Sequence, residues 1–316
     1  MGVRRIKAPQ RRRGSASPFG LRDRWSAIAL ATIVGLGLAA GGEAGGAAAG
    51  IDGPQSFAFA IGNGNLAGDA SAVAARLGDF GLVVVDGEEA SVEEVEALRG
   101  GGTIVLAYLS VGTIEKWRSW YPRLKRFRLG AWANWKDEWF ADVSRAKLRR
   151  EIERRIAPPI LAKGFDGLFL DNVDMIETRN HRSQREGMRK LVLALSTLAR
   201  SDGRLLFAQN GAWGLRRLDL VGALDGWNRE DVTWTHDFDH HRYVRNRPGE
   251  TRAALDELRA FGEQGLIVTA TDYTRAGDEA AADEAAANAC GAGALPYVGD
   301  IGLTARRLPD PPLECP

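Results

Sequence analysis

Carboxyl and amide side chains follow directly on a short apolar segment within residues 164–174, GFDGLFLDNVD. The run LFL is typical of a strand covered on both faces, and Asp171, Asn172 and Asp174 come after it. A carboxyl in that place is costly to bury unless it is used, and it has the chemistry of a nucleophile or of a general acid or base. The alternative is that Asp171 only caps the next turn of the chain.

A second carboxyl of the same kind, Glu230, lies at the end of the segment ALDGWNRED, residues 223–231. Polar residues also end other strand-like segments, and they are Asp86, Ser110, Asn210, Asp231, Asp272, Tyr273 and Asp300. One strand-end acid is ordinary capping, but so many of them predict a polar, acid-lined pocket where the strand ends converge. Two carboxyls on different strands of such a pocket suit a reaction in which one donates a proton and the other stays ionised.

Eight strand-like segments must position these residues. They are 56–62, 82–86, 103–110, 167–172, 204–210, 223–231, 266–273 and 293–300. Helical patterns lie between them, and strands that alternate with helices predict a parallel sheet. Eight such units in about 260 residues match an α/β fold of the (β/α)₈ TIM barrel type, whose active face is formed by the carboxyl ends of the strands. A doubly wound open sheet is the alternative, but no G-x-G-x-x-G motif follows the first strand.

Two of the helical patterns carry end signals. In residues 91–100, Ser91 and Glu94 predict a capping box, and a glycine follows the last turn. Residues 144–164 predict a longer helix that Ser144 caps and a glycine ends. A Pro-Pro pair inside it should kink or interrupt the helix.

The first part of the chain differs from the rest. Residues 1–24 carry eight basic side chains and one acidic one, and the uncharged run 25–42 is followed by a small-residue tract. This pattern predicts a leader, 1–49, that is a secretory signal peptide cleaved after Ala49 or, as the alternative, a membrane anchor through 25–42. In both cases we expect the barrel domain, 50–316, to be exported.

Removal of the leader changes the charge of the protein. The residues after position 49 hold 34 basic and 39 acidic side chains, which gives a formal charge of −5. No uninterrupted basic face follows position 50, so nucleic acid is not expected as a partner.

The cysteines and histidines give weaker signals. Cys290 and Cys315 could tie the C-terminal tail to the body in an oxidising compartment, and coincidence is the alternative. Three of the four histidines lie in HDFDHH, residues 236–241, which resembles a metal site in composition. The run lacks the helical HExxH spacing of zinc sites, so we expect neither a metal nor another cofactor.

Aromatic residues are concentrated after the predicted strand ends. The segment after the third strand holds Trp117, Trp120, Tyr121, Trp132, Trp135 and Trp139, and Trp213 and Trp234 follow the fifth and sixth strands. Any single ring could pack as part of a lid over the barrel. As a group, flat apolar rings beside carboxylates favour the binding of sugar rings.

Several motifs together resemble glycoside hydrolase family 114, which is described as endo-α-1,4-polygalactosaminidase-like. They are AYLSVGTIEKWRSWY (107–121), WFADVSRAKLRREI (139–152), IAPPILAKGFDGLFLDNVD (156–174), FAQNG (207–211), DGWNRED (225–231) and TDY (271–273). The resemblance covers most of residues 56–300 in the right order. It implies a secreted (β/α)₈ glycosidase that acts on a galactosamine-containing polysaccharide.

The resemblance also implies two catalytic carboxyls, with Asp171 as nucleophile or base and Glu230 as general acid. Glycosidic hydrolysis usually needs such a pair, one protonated and one ionised. We expect substrate-binding or supporting roles for Tyr108, Asp142, Asn172, Asp174, Asn210, Asp272 and Tyr273. The alternative function is a non-catalytic carbohydrate-binding or cell-envelope barrel, which would not require an acid on each of two strands.

Overall fold

Eight parallel strands make up the main sheet of the structure, a computed structural model that describes residues 53–316. The strands are β1 (Phe57–Ala60), β2 (Leu82–Asp86), β3 (Ile104–Ser110), β4 (Gly167–Asp171), β5 (Leu205–Gln209), β6 (Gly226–Glu230), β7 (Ile267–Tyr273) and β8 (Leu295–Gly299). Each strand pairs with the next one in this series, and β8 returns to lie beside β1, so the sheet curls into a nearly closed barrel. The predicted TIM-barrel fold is confirmed, because a doubly wound open sheet would reverse its strand order.

Helices connect the strands and cover the outside of the barrel. Their bounds are Ala70–Leu77, Val92–Gly100, Tyr121–Leu124, Ala146–Glu151, Ala157–Leu161, Arg185–Ser201, Ala212–Arg217, Pro248–Gly262 and Glu279–Cys290. Short 3₁₀ turns add Lys125–Phe127, Val173–Glu177, Arg179–Gln184, Val221–Ala223 and Ala305–Arg307. The longest helix buries Leu191 and Leu195, four residues apart on one face, and this apolar stripe is what holds such a helix on a sheet.

The two helix-start predictions have different outcomes. Ser91 Oγ accepts a hydrogen bond from the Glu94 N–H at 3.2 Å, and the Glu94 carboxylate accepts one from the Ser91 N–H at 2.7 Å, so the capping box is confirmed. The prediction that Ser144 caps the next long helix is wrong, since that helix begins at Ala146 without a side-chain cap. The Ser144 hydroxyl instead donates to the carboxylate of Asp142.

The Pro158-Pro159 pair interrupts this helical region, as predicted. The segment Ala146–Glu151 runs into a wider π-helical turn, Ile152–Ile156, before Ala157–Leu161 resumes the α-helix. Proline has no N–H, so two carbonyls of the preceding turn lose their usual partners and the regular ladder cannot pass through.

Aromatic rings fill the interior of the barrel. The Phe59 ring on β1 contacts the Phe169 ring on β4 with centroids 5.1 Å apart, and the Tyr108 ring on β3 at 6.3 Å. Side chains alternate along a strand with a period of two, so Ser110 points the same way as Tyr108, and Asp171 the same way as Phe169. Ser110 and Asp171 are therefore the last inward-facing positions of β3 and β4, whereas on β6 the inward position before Glu230 is the buried, polar Asn228.

Two β excursions leave the barrel at the carboxyl ends of the strands. A small antiparallel sheet follows β3 and consists of Thr113–Glu115, Arg128–Ala131 and Glu138–Ala141. A hairpin follows β6 and consists of Trp234–Asp237 and Arg242–Arg245. The rings of Trp135 and Phe238, one from each excursion, meet edge to face with centroids 5.8 Å apart. The excursions thus touch each other at this end of the barrel.

The C-terminal tail is tied to the last helix by a disulfide between Cys290 and Cys315. The sequence left this pairing open, and the structure contains it. Across residues 53–316, no helix combines the length and the apolar character needed to cross a membrane. The predicted leader 1–49 and the possible anchor 25–42 lie outside the described residues.

Candidate active site

Asp171 ends β4 at the mouth of the barrel and accepts three hydrogen bonds. The Tyr108 hydroxyl donates to its Oδ2 at 2.6 Å, the Asn172 N–H donates to its Oδ1 at 2.6 Å, and Asn172 Nδ2 donates to its Oδ2 at 3.1 Å. The β3–β4 register places Ser110 opposite Asp171, so Tyr108 lies one inward position deeper on the neighbouring strand. Tyr108, deeper in the barrel, and Asn172, next in sequence, therefore hold the carboxyl in place at the mouth.

Asn172 adopts the left-handed backbone conformation, with φ 60° and ψ 24°. Asparagine tolerates this conformation better than most residues because its short polar side chain bonds locally. The 3₁₀ turn that follows, Val173–Glu177, has no side-chain cap. Asp171 thus does not cap this turn, contrary to the simpler of the two sequence interpretations.

Glu230 ends β6 and has a matching set of partners. The Tyr273 hydroxyl donates to its Oε1, and Asn210 Nδ2 donates to its Oε2 at 2.8 Å. The Glu230 N–H donates in turn to Asn210 Oδ1 at 3.0 Å, so the amide binds both the side chain and the backbone of the acid. Trp227 Nε1 donates a hydrogen bond of 2.8 Å to the backbone carbonyl of Asn210, which helps to hold this residue in place. Each carboxyl thus has one tyrosine hydroxyl and one amide as donors.

The electrostatic environment couples the two acids. Burial, followed by the negative charge of Glu230, raises the pKa of Asp171 to about 7, while the hydrogen bonds from Tyr108 and Asn172 act in the opposite direction. A carboxyl that titrates near neutrality beside a second carboxyl is the arrangement that acid–base catalysis uses.

Two more carboxyls contribute to the acidic mouth. Burial and then the charge of Glu230 raise the pKa of Asp231 to about 7. Burial and then the charge of Asp171 raise the pKa of Asp174 well above its ordinary value. The sequence indicated Asp174 as a site residue, whereas Asp231 stood only among the strand-end acids.

Two predicted site residues have other partners in the structure. Asp272 is buried, and its Oδ1 accepts the backbone N–H groups of Thr233 and Trp234, both at 2.7 Å, so it closes the turn after β6. Asp142 accepts hydrogen bonds from Ser144 and from Arg145, the latter at 2.9 Å. Neither carboxyl shares a hydrogen bond with Asp171 or Glu230.

A buried ion cluster supports the site next to Tyr108. Arg118 is only 4% exposed and pairs with Glu115 and Asp86, each at 2.7 Å. Its guanidinium lies 6.0 Å from the centre of the Tyr108 ring. No sequence pattern indicated this cluster, because its three side chains come from the end of β2, from the small antiparallel sheet after β3 and from the loop that follows Glu115.

The sequence left open whether the tryptophans pack as a lid or present their rings to a sugar, and the structure contains both packed and exposed rings. Trp132 stacks on Phe140 with centroids 5.6 Å apart, and Trp139 contacts Tyr121 at 6.0 Å, as expected of a packed lid. Three others present much of their surface to solvent: Trp117 is 55% exposed, Trp213 41% and Trp135 38%. These three rings have the exposed surface that stacking on a sugar requires.

The HDFDHH run forms the end of the hairpin that follows β6. His240 Nδ1 lies 2.7 Å from Asp237 Oδ2, and both belong to the same turn. No group of three or more histidine, cysteine or acidic side chains in the described part of the chain is arranged to hold a metal ion.

A sequence model of glycoside hydrolase family GH114 matches residues 44–308, which is most of the chain. The chain belongs to glycoside hydrolase family 114. Membership of this family makes the protein a glycoside hydrolase, and it confirms the resemblance that the motifs carried. An uncharacterized protein of Deinococcus radiodurans is 28% identical over 257 residues, which cover 73% of this chain and 77% of the relative.

Two solved structures share the fold of this family 114 enzyme. The glycoside hydrolase domain of PelA from Pseudomonas aeruginosa is 23% identical, with a TM-score of 0.68 over 79% of this chain and 96% of that domain. Aspergillus fumigatus Ega3 in complex with galactosamine is 16% identical, with a TM-score of 0.61 over 80% of this chain and 93% of that one. At these identities the two structures support the architecture and carry no residue assignments.

Proposed function

We propose that this family 114 enzyme is exported and cleaves a galactosamine-containing polysaccharide, in the manner of an endo-α-1,4-polygalactosaminidase. The observation that carries the proposal is the pairing of Asp171 and Glu230, two carboxyls at the last inward positions of β4 and β6, each with a tyrosine and an amide as donors. The galactosamine bound to Ega3 supports the sugar class.

The two acids have different roles in the proposed reaction. Glu230 carries the proton and donates it to the glycosidic oxygen as the bond to the leaving sugar breaks. Asp171 is ionised and either attacks the anomeric carbon or activates a water molecule that does so. The negative charge of Glu230 is one of the causes that raise the pKa of Asp171, so a proton on Glu230 favours an ionised Asp171.

The acidic mouth suits a cationic substrate. Galactosamine units with a free amine carry positive charge at neutral pH, and Asp174 and Asp231 add carboxyls beside the two catalytic acids. A cation near these groups would favour their ionised forms and would offset the cost of burying them.

Export is supported by the leader and by the disulfide. A basic segment followed by an uncharged run precedes the barrel, and the bond between Cys290 and Cys315 is of a kind that persists in oxidising compartments.

The test is reducing-end release from α-1,4-linked galactosamine polymers by the purified protein. We expect oligosaccharides from the wild type, and losses of about 10³-fold or more in Asp171→Asn and Glu230→Gln without loss of folding. Asp300→Asn is the matched control, because this strand-end acid binds the Thr304 hydroxyl at 2.6 Å and caps a turn. Full activity in the first two variants would mean that the site is wrong. Binding of the polymer without cleavage by the wild type would instead favour the non-catalytic carbohydrate-binding barrel.

A further inference from the structure

A second buried carboxyl, Glu138, is connected to Asp171 through a continuous chain of hydrogen bonds. Glu138 lies on the small antiparallel sheet that follows β3 and is 6% exposed. Thr113 Oγ1 donates to Glu138 Oε1 at 2.5 Å, and Ser110 Oγ lies 2.5 Å from Thr113 Oγ1. Asn172 Nδ2 then lies 3.0 Å from Ser110 Oγ and 3.1 Å from Asp171 Oδ2.

The number of protons in this chain fixes its direction. A hydroxyl has one proton, so Thr113, which donates to Glu138, must accept from Ser110. Ser110 has then used its own proton and offers only lone pairs to Asn172. The Asn172 amide must therefore turn its NH₂ group toward Ser110, and the second proton of the same group reaches Asp171.

Glu138 sets this direction from one end of the hydrogen-bond series, because its oxygen accepts the Thr113 proton, and Asp171 accepts from the amide at the other end. The two ends of an asparagine amide have nearly the same shape, so only the donors and acceptors around it decide which way it faces. An amide turned the other way would place its oxygen against Asp171 and would lose the donor.

We propose that Glu138 is a positioning residue for Asp171, acting through Thr113 and Ser110 on the direction of the Asn172 amide. The catalytic role of Asp171 rests on the proposed function, whereas the effect on the ionisation of Asp171 does not. Loss of the chain weakens a donor to the ionised carboxyl and so raises its pKa.

Other charged groups face the same region and must be kept constant in a test. Asp171 is faced by Tyr108, Glu230, Glu115 and Asp174, and Glu138 by Glu115, Arg118 and Asp171 itself. Burial and then the charge of Glu115 raise the pKa of Glu138 to about 8, so this group is mostly neutral below that pH. A neutral carboxylic acid still accepts from Thr113 through its carbonyl oxygen, and glutamine reproduces that oxygen.

Three variants separate positioning from simple support of the fold. Thr113→Val breaks the series of hydrogen bonds without changing any charge. Glu138→Leu removes the carboxyl at the end of that series, and Glu138→Gln keeps a carbonyl oxygen that can accept there. Thr103→Val is the matched control, because the Thr103 hydroxyl is also buried but donates to the Gly78 carbonyl on another part of the barrel. Thermal unfolding of each variant checks that it is folded.

Two measurements are made on each variant: the pKa of Asp171 by carboxyl ¹³C NMR titration, and the pH dependence of kcat/KM on the galactosamine polymer. In Thr113→Val and Glu138→Leu we expect the pKa of Asp171 to rise by about one unit, and kcat/KM well below that pKa to fall about tenfold with KM little changed. Glu138→Gln and Thr103→Val should match the wild type in both.

The proposal would be overturned if folded Thr113→Val has the wild-type pKa of Asp171 and the wild-type fall of kcat/KM at low pH. This holds even if Glu138→Leu fails to fold. The NMR titration needs no turnover, so it separates this proposal from the proposed function. If the wild type cleaves no polymer but the pKa of Asp171 still rises in Thr113→Val, the proposed function fails and the coupling between Glu138 and Asp171 stands.

Discussion

The Tyr108 hydroxyl donates a hydrogen bond of 2.6 Å to Asp171 Oδ2 from inside the barrel. Tyr273 has the same relationship with Glu230, which lies two strands further round the barrel than Asp171. A buried tyrosine that donates to a carboxylate stabilises its charged form without supplying a counter-charge, and for Asp171 this hydrogen bond partly offsets the rise in pKa that burial causes.

Tyr108→Phe should raise the pKa of Asp171 above about 7, because the hydroxyl is one of the groups that lower it. If Asp171 must be ionised, kcat/KM declines as the pH is lowered through the pKa of Asp171. In Tyr108→Phe we expect this decline to begin about one pH unit higher than in the wild type. A pH–rate profile measures this shift. Tyr297→Phe is the control, since within residues 53–316 the buried Tyr297 hydroxyl has no hydrogen-bond partner. If the decline of kcat/KM at low pH is at the same pH in Tyr108→Phe as in the wild type, Asp171 is not the ionised group.

Gly112→Ala should disturb the site through the backbone. A Cβ at Gly112 would stand 1.9 Å from the carbonyl oxygen of Asn172, so the loop after β3 or the turn after β4 must shift. We expect activity to fall about 100-fold or more, because small displacements of reacting groups are costly. Gly130→Ala is the matched control, as nothing lies within 4 Å of a Cβ there. Equal activity of the two variants would show that the close approach of Gly112 and Asn172 is not needed.

Arg118→Met should destabilise the fold by about 3–5 kcal/mol, because it leaves the buried carboxylates of Glu115 and Asp86 without their cation. Burial already raises the pKa of Glu115, and the positive charge of Arg118 opposes that rise. Urea unfolding measures the loss. Arg259→Met, which breaks an exposed pair with Asp256, should change stability by less than about 1 kcal/mol. Similar losses in both variants would contradict this account of the buried cluster.

The free energy of unfolding should fall as pH rises from about 4 to about 8. Burial raises the pKa of Asp171 and Asp231 to about 7, of Asp272 to about 6 and of Glu138 to about 8. The folded protein then binds more protons than the unfolded chain across this window, and the slope is up to about 1.4 kcal/mol per pH unit for each group. Denaturant unfolding between pH 4 and pH 8 gives the slope directly.

Asp231→Asn isolates one of these groups. The variant should unfold with a shallower loss of stability toward pH 8, because one carboxyl that must ionise in the folded state is gone. Asp256→Asn, at an exposed helical position, should leave the slope unchanged. A slope that is the same in all three proteins would show that Asp231 ionises as freely in the folded state as in the unfolded chain.

Much of the fold followed from local patterns. The eight apolar segments, the capping box at Ser91 and Glu94, and the interruption at the Pro158-Pro159 pair were all predicted and are present. These features depend on residues that are near each other in the chain, where side-chain period and backbone geometry act directly. Ser144 was the exception, because a nearby carboxylate competes for the hydroxyl that a helix cap would need.

The sequence by itself determined which acids end β4 and β6, since a strand of a parallel barrel brings its carboxyl end to the common mouth whatever its neighbours are. Only the tertiary structure decided what each acid contacts. The path from Glu138 to Asp171 and the ion cluster around Arg118 join residues from strand ends and from the loop after β3. No periodicity encodes such contacts, because they depend on how the small antiparallel sheet after β3 folds back over the barrel. Buried hydrogen bonds and charges then set the ionisation of the acids that local sequence only placed.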